Sequence, residues 1–403
     1  MPTAESSVPP IPNRLPLSGL VVLEMAHTVM GPCCGLVLAD LGAEVIRVEP
    51  APGGDRTRRL RGFASGFFSY FNRNKRSLCL DLKSERGMAL ARRLIARADV
   101  LVENFAPGTL DRLGLDWETL HALNPRLVFC ALKGFLPGPY EHRPALDEIV
   151  QYMTGLAYMT GPPGQPLRAG ASVVDIMGGV MGAVAILAAL RQRDADGVGR
   201  RVTSSLYESS AFLVAQHMAG EAVTGVPAPP MPARDSAWAI YETFPTADGT
   251  PLFVGITSDR HWEAFCRHFG REDLLADPRY AANEERVRHR DTLRPQVAAA
   301  IAARPIEELC GILERIGVPF SPVRRPGELF DDPQLRANDR MLRTVMPDGR
   351  TVPFPSLPLE IDGKAPPLRR QPPAAGQHTD EILASLGLEA AEIAELRAAQ
   401  VVR

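Results

Sequence analysis

Residues 19–49 read GLVVLEMAHTVMGPCCGLVLADLGAEVIRVE, and this stretch decides the fold prediction. The apolar run at 20–25 is typical of a parallel strand that is covered on both faces. Pro32 at a first helical position opens a predicted helix that ends near Gly42, because proline suits the first turn and glycine the position beyond the last. Residues 44–49 then form a second strand. The stretch therefore predicts a β-α-β unit.

The same alternation continues along the chain. Residues 77–82 predict a strand, Ser84 caps a predicted helix, and 100–103 and 127–132 predict two further strands. Short strand–helix alternation of this kind favours an α/β fold, in which a parallel sheet carries helices on both faces.

The pattern changes near residue 225. A proline-rich stretch leads into two extended runs, 238–245 and 251–256, joined around Asp248-Gly249, which is a strong hairpin signal. We predict a smaller α+β domain over 225–328. The tail, 329–403, is expected to pack back on residues 1–224 and to complete a large Rossmann-like domain.

Composition narrows the possible functions. The 403 residues include 45 Lys and Arg against 47 Asp and Glu, so a nucleic acid or a membrane is not expected as a partner. The six cysteines are scattered and no histidine lies at ligand spacing, so we expect neither a disulfide framework nor a metal site. The apolar run 176–190 is shorter than the roughly 20 residues of a membrane span and predicts a buried helix. A cytoplasmic protein is expected.

Two common nucleotide and hydrolase patterns are missing. The turn at 27–32, HTVMGP, lacks the G-x-G-x-x-G that admits a pyrophosphate, so Glu49 at the end of the next strand is only weak support for NAD binding. The chain has no G-x-S-x-G, which disfavours an α/β serine hydrolase.

Asp175 stands alone before the most apolar run of the chain, in GASVVDIMGG at 170–179. One interpretation is a helix N-cap, because an aspartate there accepts backbone N–H bonds. The other is a nucleophile, since a poorly hydrated carboxylate at a helix N-terminus is reactive and Gly178 and Gly179 leave room for a ligand. The residues alone leave both interpretations open.

A basic cluster, NRNKR at 72–76, precedes one predicted strand, while Lys83 and Arg112 follow strand ends. Cations at the ends of parallel strands suit phosphate binding, because ligands of open α/β sheets lie there. Solvated surface charge is the alternative interpretation.

Several stretches in order resemble the family III coenzyme A transferases, which include formyl-CoA transferase, the carnitine CoA-transferases and the related α-methylacyl-CoA racemase. The resemblance covers nearly the whole chain. Its residues are LADLGAEVIRVE at 38–49, GD at 54–55, NRNKRS at 72–77, ENFAPGTLDRLG at 103–114, Asp147, TGL at 154–156, TG at 160–161, Val174-Asp175 and GQHT at 376–379.

The resemblance implies a large α/β domain made from both chain ends, a small domain between them, and a homodimer of interlocked rings. It implies that Asp175 attacks an acyl-CoA thioester and carries the acyl group and then CoA, with acyl-CoA and a carboxylic acid as substrates and with no prosthetic group or metal. The implied CoA-binding residues are His27, Val29, Met30, Leu80, Asp81, Leu82, Lys83, Asn104, Phe105, Ala106 and Arg112.

Departures from the family pattern bear on the substrate. Val29, Pro50 and Leu146 stand where formyl-CoA transferase has glutamine, arginine and tyrosine, which disfavours a formyl-CoA and oxalate pair. The racemase has a histidine at the Leu146 position, and its absence here disfavours racemisation. Racemisation is kept as the second hypothesis because His142 lies close by in the sequence as a candidate base. A third hypothesis is a non-catalytic CoA-binding protein.

Three further arginines are candidates for binding a second carboxylate, as a dicarboxylic acyl group such as succinyl requires. Surface charge is the alternative interpretation. The candidates are Arg143, Arg168 and Arg234.

Overall fold

The computed structural model describes residues 15–234 and 236–403. The chain forms two compact units, one made by the chain up to residue 232 together with 333–403, and the other by 233–332. The assignment of a CoA-binding role to the larger domain stays a prediction.

The strands of the described residues are numbered in chain order. They are β1 Val21–Met25, β2 Glu44–Pro50, β3 Lys75–Leu80, β4 Val100–Glu103, β5 Val128–Lys133, β6 Arg201–Ser205, β7 Ile240–Pro245, β8 Pro251–Ile256, β9 Phe320–Pro322, β10 Met341–Val345 and β11 Thr351–Pro355.

The helices are numbered in the same way. They are α1 Met30–Asp40, α2 Phe67–Phe71, α3 Glu85–Ile95, α4 Thr109–Arg112, α5 Trp117–Leu123, α6 Asp147–Met153, α7 Leu156–Thr160, α8 Val173–Asp196, α9 Leu206–Thr224, α10 Asp259–His268, α11 Glu272–Ala276, α12 Asn283–Arg288, α13 Arg290–Ala302, α14 Ile306–Ile316, α15 Pro333–Arg336, α16 Thr379–Ser385 and α17 Ala390–Ala398.

The first unit is built on a parallel six-stranded sheet with the order β3-β2-β1-β4-β5-β6. The predicted α/β class with a parallel sheet is confirmed. The strand order reverses direction beside β1, so β1 and β4 are neighbours, and Met25 pairs with Glu103 at their carboxyl ends. Such a switch point opens a crevice in which ligands of this fold class bind.

Helices cover both faces of the sheet. One core joins the sheet to α3, α5, α16 and α17, and the other joins it to α1, α8 and α9. The helix cap predicted at Ser84 is confirmed, because its hydroxyl accepts the Gly87 N–H at 3.0 Å. The C-terminal helices fill the first core, so the tail packs on the same unit as residues 15–232.

Helix α8 is the one described helix whose length and composition would allow it to cross a membrane. Core helices of soluble proteins pass the same test. Here one face of α8 packs against α1, β5, β6 and α9, while Met181 and Val184 on α8 are exposed in the single chain. The helix that the apolar run predicts as buried is therefore buried on one face only.

The second unit contains a small antiparallel sheet with the order β7-β8-β9. Ile240 pairs with Ile256 and Pro245 with Pro251, so the hairpin predicted around Asp248-Gly249 is confirmed. Gly249 has φ of +77°, a left-handed conformation that glycine adopts without strain. Helices α10 to α14 pack on this sheet around a core of their own.

Candidate functional site

Asp175 lies in the first turn of α8, but it is not the cap of that helix. The N-cap is Ser172, whose side chain makes no capping bond. The carboxylate of Asp147 takes that role, because its Oδ2 accepts the N–H of Val174 at 2.8 Å and the N–H of Asp175 at 3.1 Å. The N-cap interpretation of Asp175 is therefore wrong, and the Asp175 carboxylate is not used to cap the helix.

Asp147 is held in place from its own helix and from the following loop. It begins α6 and is buried, and its Oδ1 accepts a hydrogen bond from Gln151 Nε2 at 2.6 Å. Arg168 Nη2 lies 3.5 Å from the same oxygen and donates to the Ala171 carbonyl at 3.0 Å. The residue sits 28 positions before Asp175, so only the family resemblance marked it in the sequence.

The environment of Asp175 disfavours its charged form. Burial is the largest cause, and the nearby Asp147 carboxylate adds to it, while Arg168 opposes both; together they raise the pKa of Asp175 to about 7. A carboxyl group with a pKa near 7 is ionised in a large fraction of molecules at neutral pH and yet poorly hydrated. These are the properties that covalent catalysis by a carboxylate requires.

Gly178 and Gly179 serve helix packing. A Cβ on Gly178 would lie 2.6 Å from Met30 Cε, and one on Gly179 would lie 2.5 Å from the Met30 carbonyl oxygen. Both positions are filled by α1, so the interpretation that these glycines leave room for a ligand is wrong. The close contact places the first turn of α8, which carries Asp175, beside the first turn of α1.

The loops after β1 and β4 are joined at the switch point. The N–H of His27 donates to Asn104 Oδ1 and Asn104 Nδ2 donates to the His27 carbonyl, both at 2.9 Å. The rings of His27 and Phe105 stack with centroids 6.3 Å apart. These three predicted CoA-binding residues are thus brought together by direct contacts.

Thr28, next to His27, adopts φ of +65°, which a β-branched residue rarely does. Its N–H donates to Thr57 Oγ1 at 3.0 Å, and that hydroxyl donates to Asp55 Oδ1 at 2.8 Å. The unusual turn is therefore stabilised by hydrogen bonds that involve Thr57 and Asp55, which follow β2. A β-branched residue at this position gave no sequence signal for a left-handed turn.

The other predicted CoA-binding residues share the carboxyl edge of the sheet but differ in exposure. Asp81 and Leu82 are half-buried, so their side chains are partly accessible. The side chains of Val29, Met30 and Leu80 are buried, so we expect these residues to contact a ligand only through their backbone. The exposed members are Lys83, Ala106 and Arg112.

The basic cluster at 72–76 is neither surface charge nor a phosphate site. Arg73 pairs with Asp40 at 2.7 Å and Lys75 with Glu24 at 2.7 Å, and both cations are buried. Arg76 pairs with Glu44 and is also buried. Both sequence interpretations of these cations were wrong, because their acidic partners lie more than 30 residues away and cannot be paired with them from spacing.

Of the three candidate arginines, only Arg168 is placed beside the two aspartates. Arg143 is exposed and lies over the Tyr140 ring at 5.0 Å, and Arg234 belongs to the second unit. Leu146 and His142, the positions that bear on racemisation, are both exposed. His142 Nε2 lies 3.1 Å from Glu141 Oε1.

No group of three or more His, Cys, Asp or Glu side chains that could hold a metal ion occurs within 15–234 and 236–403. The groups that act on Asp175 include one carboxylate, that of Asp147, and one guanidinium, that of Arg168, and the Cys33 thiol also lies within reach of its charge. The site therefore offers a candidate carboxylate nucleophile, Asp175, and a single cation for two carboxylates.

Comparisons with known proteins show the family of this chain. The family model described as CoA-transferase family III matches residues 17–379. An acyl-CoA transferase from Fusarium pseudograminearum is 35% identical over 397 residues, which cover 94% of this chain and 87% of that protein. A succinate–glutarate CoA-transferase from Agrobacterium fabrum is 34% identical over 389 residues, covering 93% and 97%.

Solved structures give the same result. The crystal structure of a CAIB/BAIF family protein from Brucella suis has a TM-score of 0.84 and 32% identity, and the match covers 93% of this chain and 100% of that one. The chain therefore belongs to CoA-transferase family III and is a CoA-transferase.

Proposed function

We propose that this enzyme moves CoA from an acyl-CoA thioester to a carboxylic acid through covalent intermediates on Asp175. The observation that carries the proposal is the state of that carboxylate. It lies in the first turn of α8, it is freed from capping by Asp147, and its pKa is raised to about 7.

In the first half of the reaction, one oxygen of ionised Asp175 attacks the thioester carbonyl of the donor. The C–S bond breaks, CoA leaves as a thiolate, and a mixed anhydride joins the donor acyl group to Asp175. The thiolate then attacks the aspartyl carbonyl carbon. The donor acid leaves as a carboxylate, and Asp175 carries CoA as a thioester.

The second half reverses the roles. The acceptor carboxylate attacks the aspartyl thioester and expels CoA thiolate, which forms a mixed anhydride between the acceptor and Asp175. The thiolate attacks the acceptor carbonyl and restores the Asp175 carboxylate. No net proton is consumed, and the energy of the thioester is kept as long as water stays out.

The partners of Asp175 suit this cycle. The helix N-terminus and Arg168 favour its anion, whereas burial and Asp147 disfavour it. Asp147 occupies the backbone N–H groups of Val174 and Asp175, so these donors do not quench the nucleophile. At neutral pH the nucleophile is therefore ionised in a large fraction of molecules, without strong hydrogen bonds from its own helix.

The CoA moiety is proposed to lie along the carboxyl edge of the sheet, against the loops that contain His27 and Asn104–Ala106. The stacked rings of His27 and Phe105 offer an aromatic surface there, and the exposed Lys83 and Arg112 offer cations for phosphates.

We further propose a dicarboxylic acid among the substrates, with Arg168 as its partner. The Nε of Arg168 is buried and has no hydrogen-bond partner among the described residues, which is costly unless a ligand accepts a hydrogen bond from it. The Agrobacterium relative is named for succinate and glutarate, both dicarboxylic acids. An Arg168→Gln variant should lose more activity with succinate than with butyrate as acceptor, and Arg143→Gln should affect both little.

An interlocked homodimer in the cytoplasm is the assembly that we propose. Helices α6, α8 and α9 contact one another and carry large apolar side chains that are exposed in the single chain. Exposed apolar surface of this extent usually marks an interface. The residues include Ile149, Tyr152, Met181, Val184, Phe212 and Met218. A monomeric mass for the wild-type protein in light scattering would contradict the dimer.

The covalent proposal is tested by trapping. The enzyme is incubated with succinyl-CoA and hydroxylamine, digested and examined by peptide mass spectrometry; the aspartyl thioester should be converted to a hydroxamate at Asp175. Asp196, at the far end of the same helix, is the internal control and should stay unmodified. A fully active Asp175→Ala enzyme would rule the mechanism out. Deuterium incorporation at the α-carbon without an acceptor acid would indicate racemisation instead.

A further inference from the structure

An ion pair between a buried and a half-buried side chain lies at the loop that follows β4. Glu103 ends β4 and Lys133 ends the neighbouring β5, and Glu103 Oε1 lies 2.5 Å from Lys133 Nζ. The side chains are only 2% and 19% exposed. Burying such a pair costs desolvation that its attraction rarely repays by much, so its presence calls for a role other than stability.

The pair forms hydrogen bonds with both the backbone N–H and the backbone carbonyl of Phe105. The N–H of Phe105 donates to Glu103 Oε2 at 2.9 Å, while Lys133 Nζ donates to the Phe105 carbonyl oxygen at 2.9 Å. Charge-assisted hydrogen bonds are stronger than neutral ones. The backbone of Phe105 is therefore fixed at both its donor and its acceptor, although its side chain is half-buried and the next residue is exposed.

The fixed backbone in turn sets the joined loops at the switch point. Asn104, which directly follows Glu103, makes the two hydrogen bonds to the backbone of His27, and the Phe105 ring stacks on the His27 ring. A Cβ on Gly31 would lie 3.1 Å from Asn104 Cγ, so the first turn of α1 also packs on this amide.

We propose that Glu103 and Lys133 are positioning residues for CoA, which hold the His27–Phe105 surface in its binding geometry before the ligand arrives. This inference rests on the proposed function, in which CoA lies along these two loops. A loop that is already ordered loses less conformational entropy on binding, so the pair contributes affinity without contacting the reacting atoms.

The expected signature is weaker CoA binding with an unchanged chemical step. In Lys133→Met the Phe105 carbonyl loses its partner and Glu103 loses its counter-ion. The Kd for CoA, measured by calorimetry, should rise about 10-fold, as loss of about 1.4 kcal/mol of preorganisation would give. The kcat at saturating acyl-CoA should stay within about twofold of the wild-type value.

Two variants separate positioning from general stability. Lys133→Arg keeps the cation and should restore most of the affinity, and a cavity of about 160 Å³ beside Lys133 has room for the larger head group. Arg193→Met breaks a comparable pair of one buried and one half-buried side chain, Arg193–Asp99 at 3.0 Å, at the opposite end of the sheet. It should lower the melting temperature without changing the Kd for CoA.

If Lys133→Met folds and binds CoA with the wild-type Kd, the inference is wrong. It is also wrong if Arg193→Met loses as much affinity for CoA as Lys133→Met does. If Lys133→Met does not fold, Glu103→Gln combined with Lys133→Met removes both charges and is judged by the same Kd.

Phe105→Ala separates this inference from the proposed CoA site. If Phe105→Ala leaves the Kd unchanged, CoA does not lie there and both proposals fail. If Phe105→Ala weakens binding while Lys133→Met does not, only the positioning role fails.

Discussion

Two of the places where the first unit removes carboxylates from water treat them in opposite ways. In one place, which we call the balanced cluster, three carboxylates face three cations. Glu24 lies 2.5 Å from Arg47 and 2.7 Å from Lys75, and Glu49 lies 2.6 Å from Arg58. The members of the balanced cluster are Glu24, Glu49, Asp55, Arg47, Arg58 and Lys75.

The other place is the aspartate pair, Asp147 and Asp175, which share the single guanidinium of Arg168. Asp147 is bound to two backbone N–H groups and to Gln151. Asp175 lies beside this charge with burial as the main influence on its ionisation.

The difference appears in the direction of the pKa. Burial alone would raise the pKa of Glu49, but the hydrogen bonds and charge of Arg58, together with the charge of Arg47, lower it below the ordinary value. The pKa of Asp175 is raised to about 7. Charge balance makes a buried carboxylate inert and structural, whereas a deficit of cations keeps Asp175 available for chemistry.

Removing the nucleophile should have the largest effect. Asp175→Asn keeps the shape of the side chain but has no carboxylate oxygen to attack the thioester, so kcat should fall by about 10⁴-fold or more. Steady-state assays with succinyl-CoA and a carboxylic acid acceptor measure this. Asp196→Asn, in the last turn of the same helix, should be close to wild type. A loss of less than tenfold in Asp175→Asn would place the chemistry elsewhere.

Breaking the balanced cluster should cost stability. Lys75→Met leaves Glu24 buried with Arg47 alone, and removing one member of a buried ion pair destabilises by about 3–5 kcal/mol. The free energy of unfolding in urea measures it. The matched variant in the aspartate pair, Arg168→Met, should cost only about 1 kcal/mol, because Arg168 is partly exposed. Equal losses in the two variants would remove the distinction between the two places.

The sequence predicted the part of this contrast that depends on local patterns. Local patterns identified five of the six parallel strands, and Asp248-Gly249 identified the hairpin, because both signals come from adjacent residues. Strand β6, Arg201–Ser205, is polar and was not predicted. The balanced cluster was missed because a strand that begins with Lys75 is polar at its start, and its acidic partners come from distant strands.

The candidate site divides in the same way. Asp175 was singled out by its isolation before an apolar helix, but whether it capped the helix depended on Asp147, which comes from another helix. Gly178 and Gly179 were assigned to ligand access, since nothing in their local sequence shows that α1 packs on them. Contacts between distant residues decided each of these points.

Ionisation of Asp175 should lower the free energy of unfolding of the enzyme. Its folded pKa, about 7, lies above the ordinary value of 3.8, so the folded state binds more protons and stability falls as pH rises from about 4 to about 7. Above pH 7 the whole cost remains. Asp175→Asn should therefore be more stable than wild type by about 2–4 kcal/mol at pH 8 and by much less at pH 5. Urea unfolding at the two pH values tests this, and a gain that is the same at both would show that ionisation is not the cause.

The smallest effect should be a shift in the pH dependence of Asp175 acylation. Substitutions of its two charged neighbours, Asp147 and Arg168, should shift it in opposite directions. The rate at which a monocarboxylic acyl-CoA acylates Asp175 should rise with pH and level off near 7, because only the carboxylate attacks. Asp147→Asn removes a negative charge, while its remaining oxygen can still accept the helix N–H groups, so the midpoint should move to lower pH. Arg168→Met removes the opposing cation, so the midpoint should move to higher pH.

At pH 6 the two variants should therefore differ from wild type by roughly two- to tenfold, one faster and one slower, relative to their own rates at pH 8. Arg143→Met, which removes an exposed cation on the preceding loop, should leave the midpoint in place. A shift of both variants in the same direction would mean that the charges of Asp147 and Arg168 do not set the ionisation of Asp175. The reactivity of Asp175 would then depend on burial alone. The aspartate pair and the balanced cluster would differ in how deeply their carboxylates are buried, and the number of nearby cations would not matter.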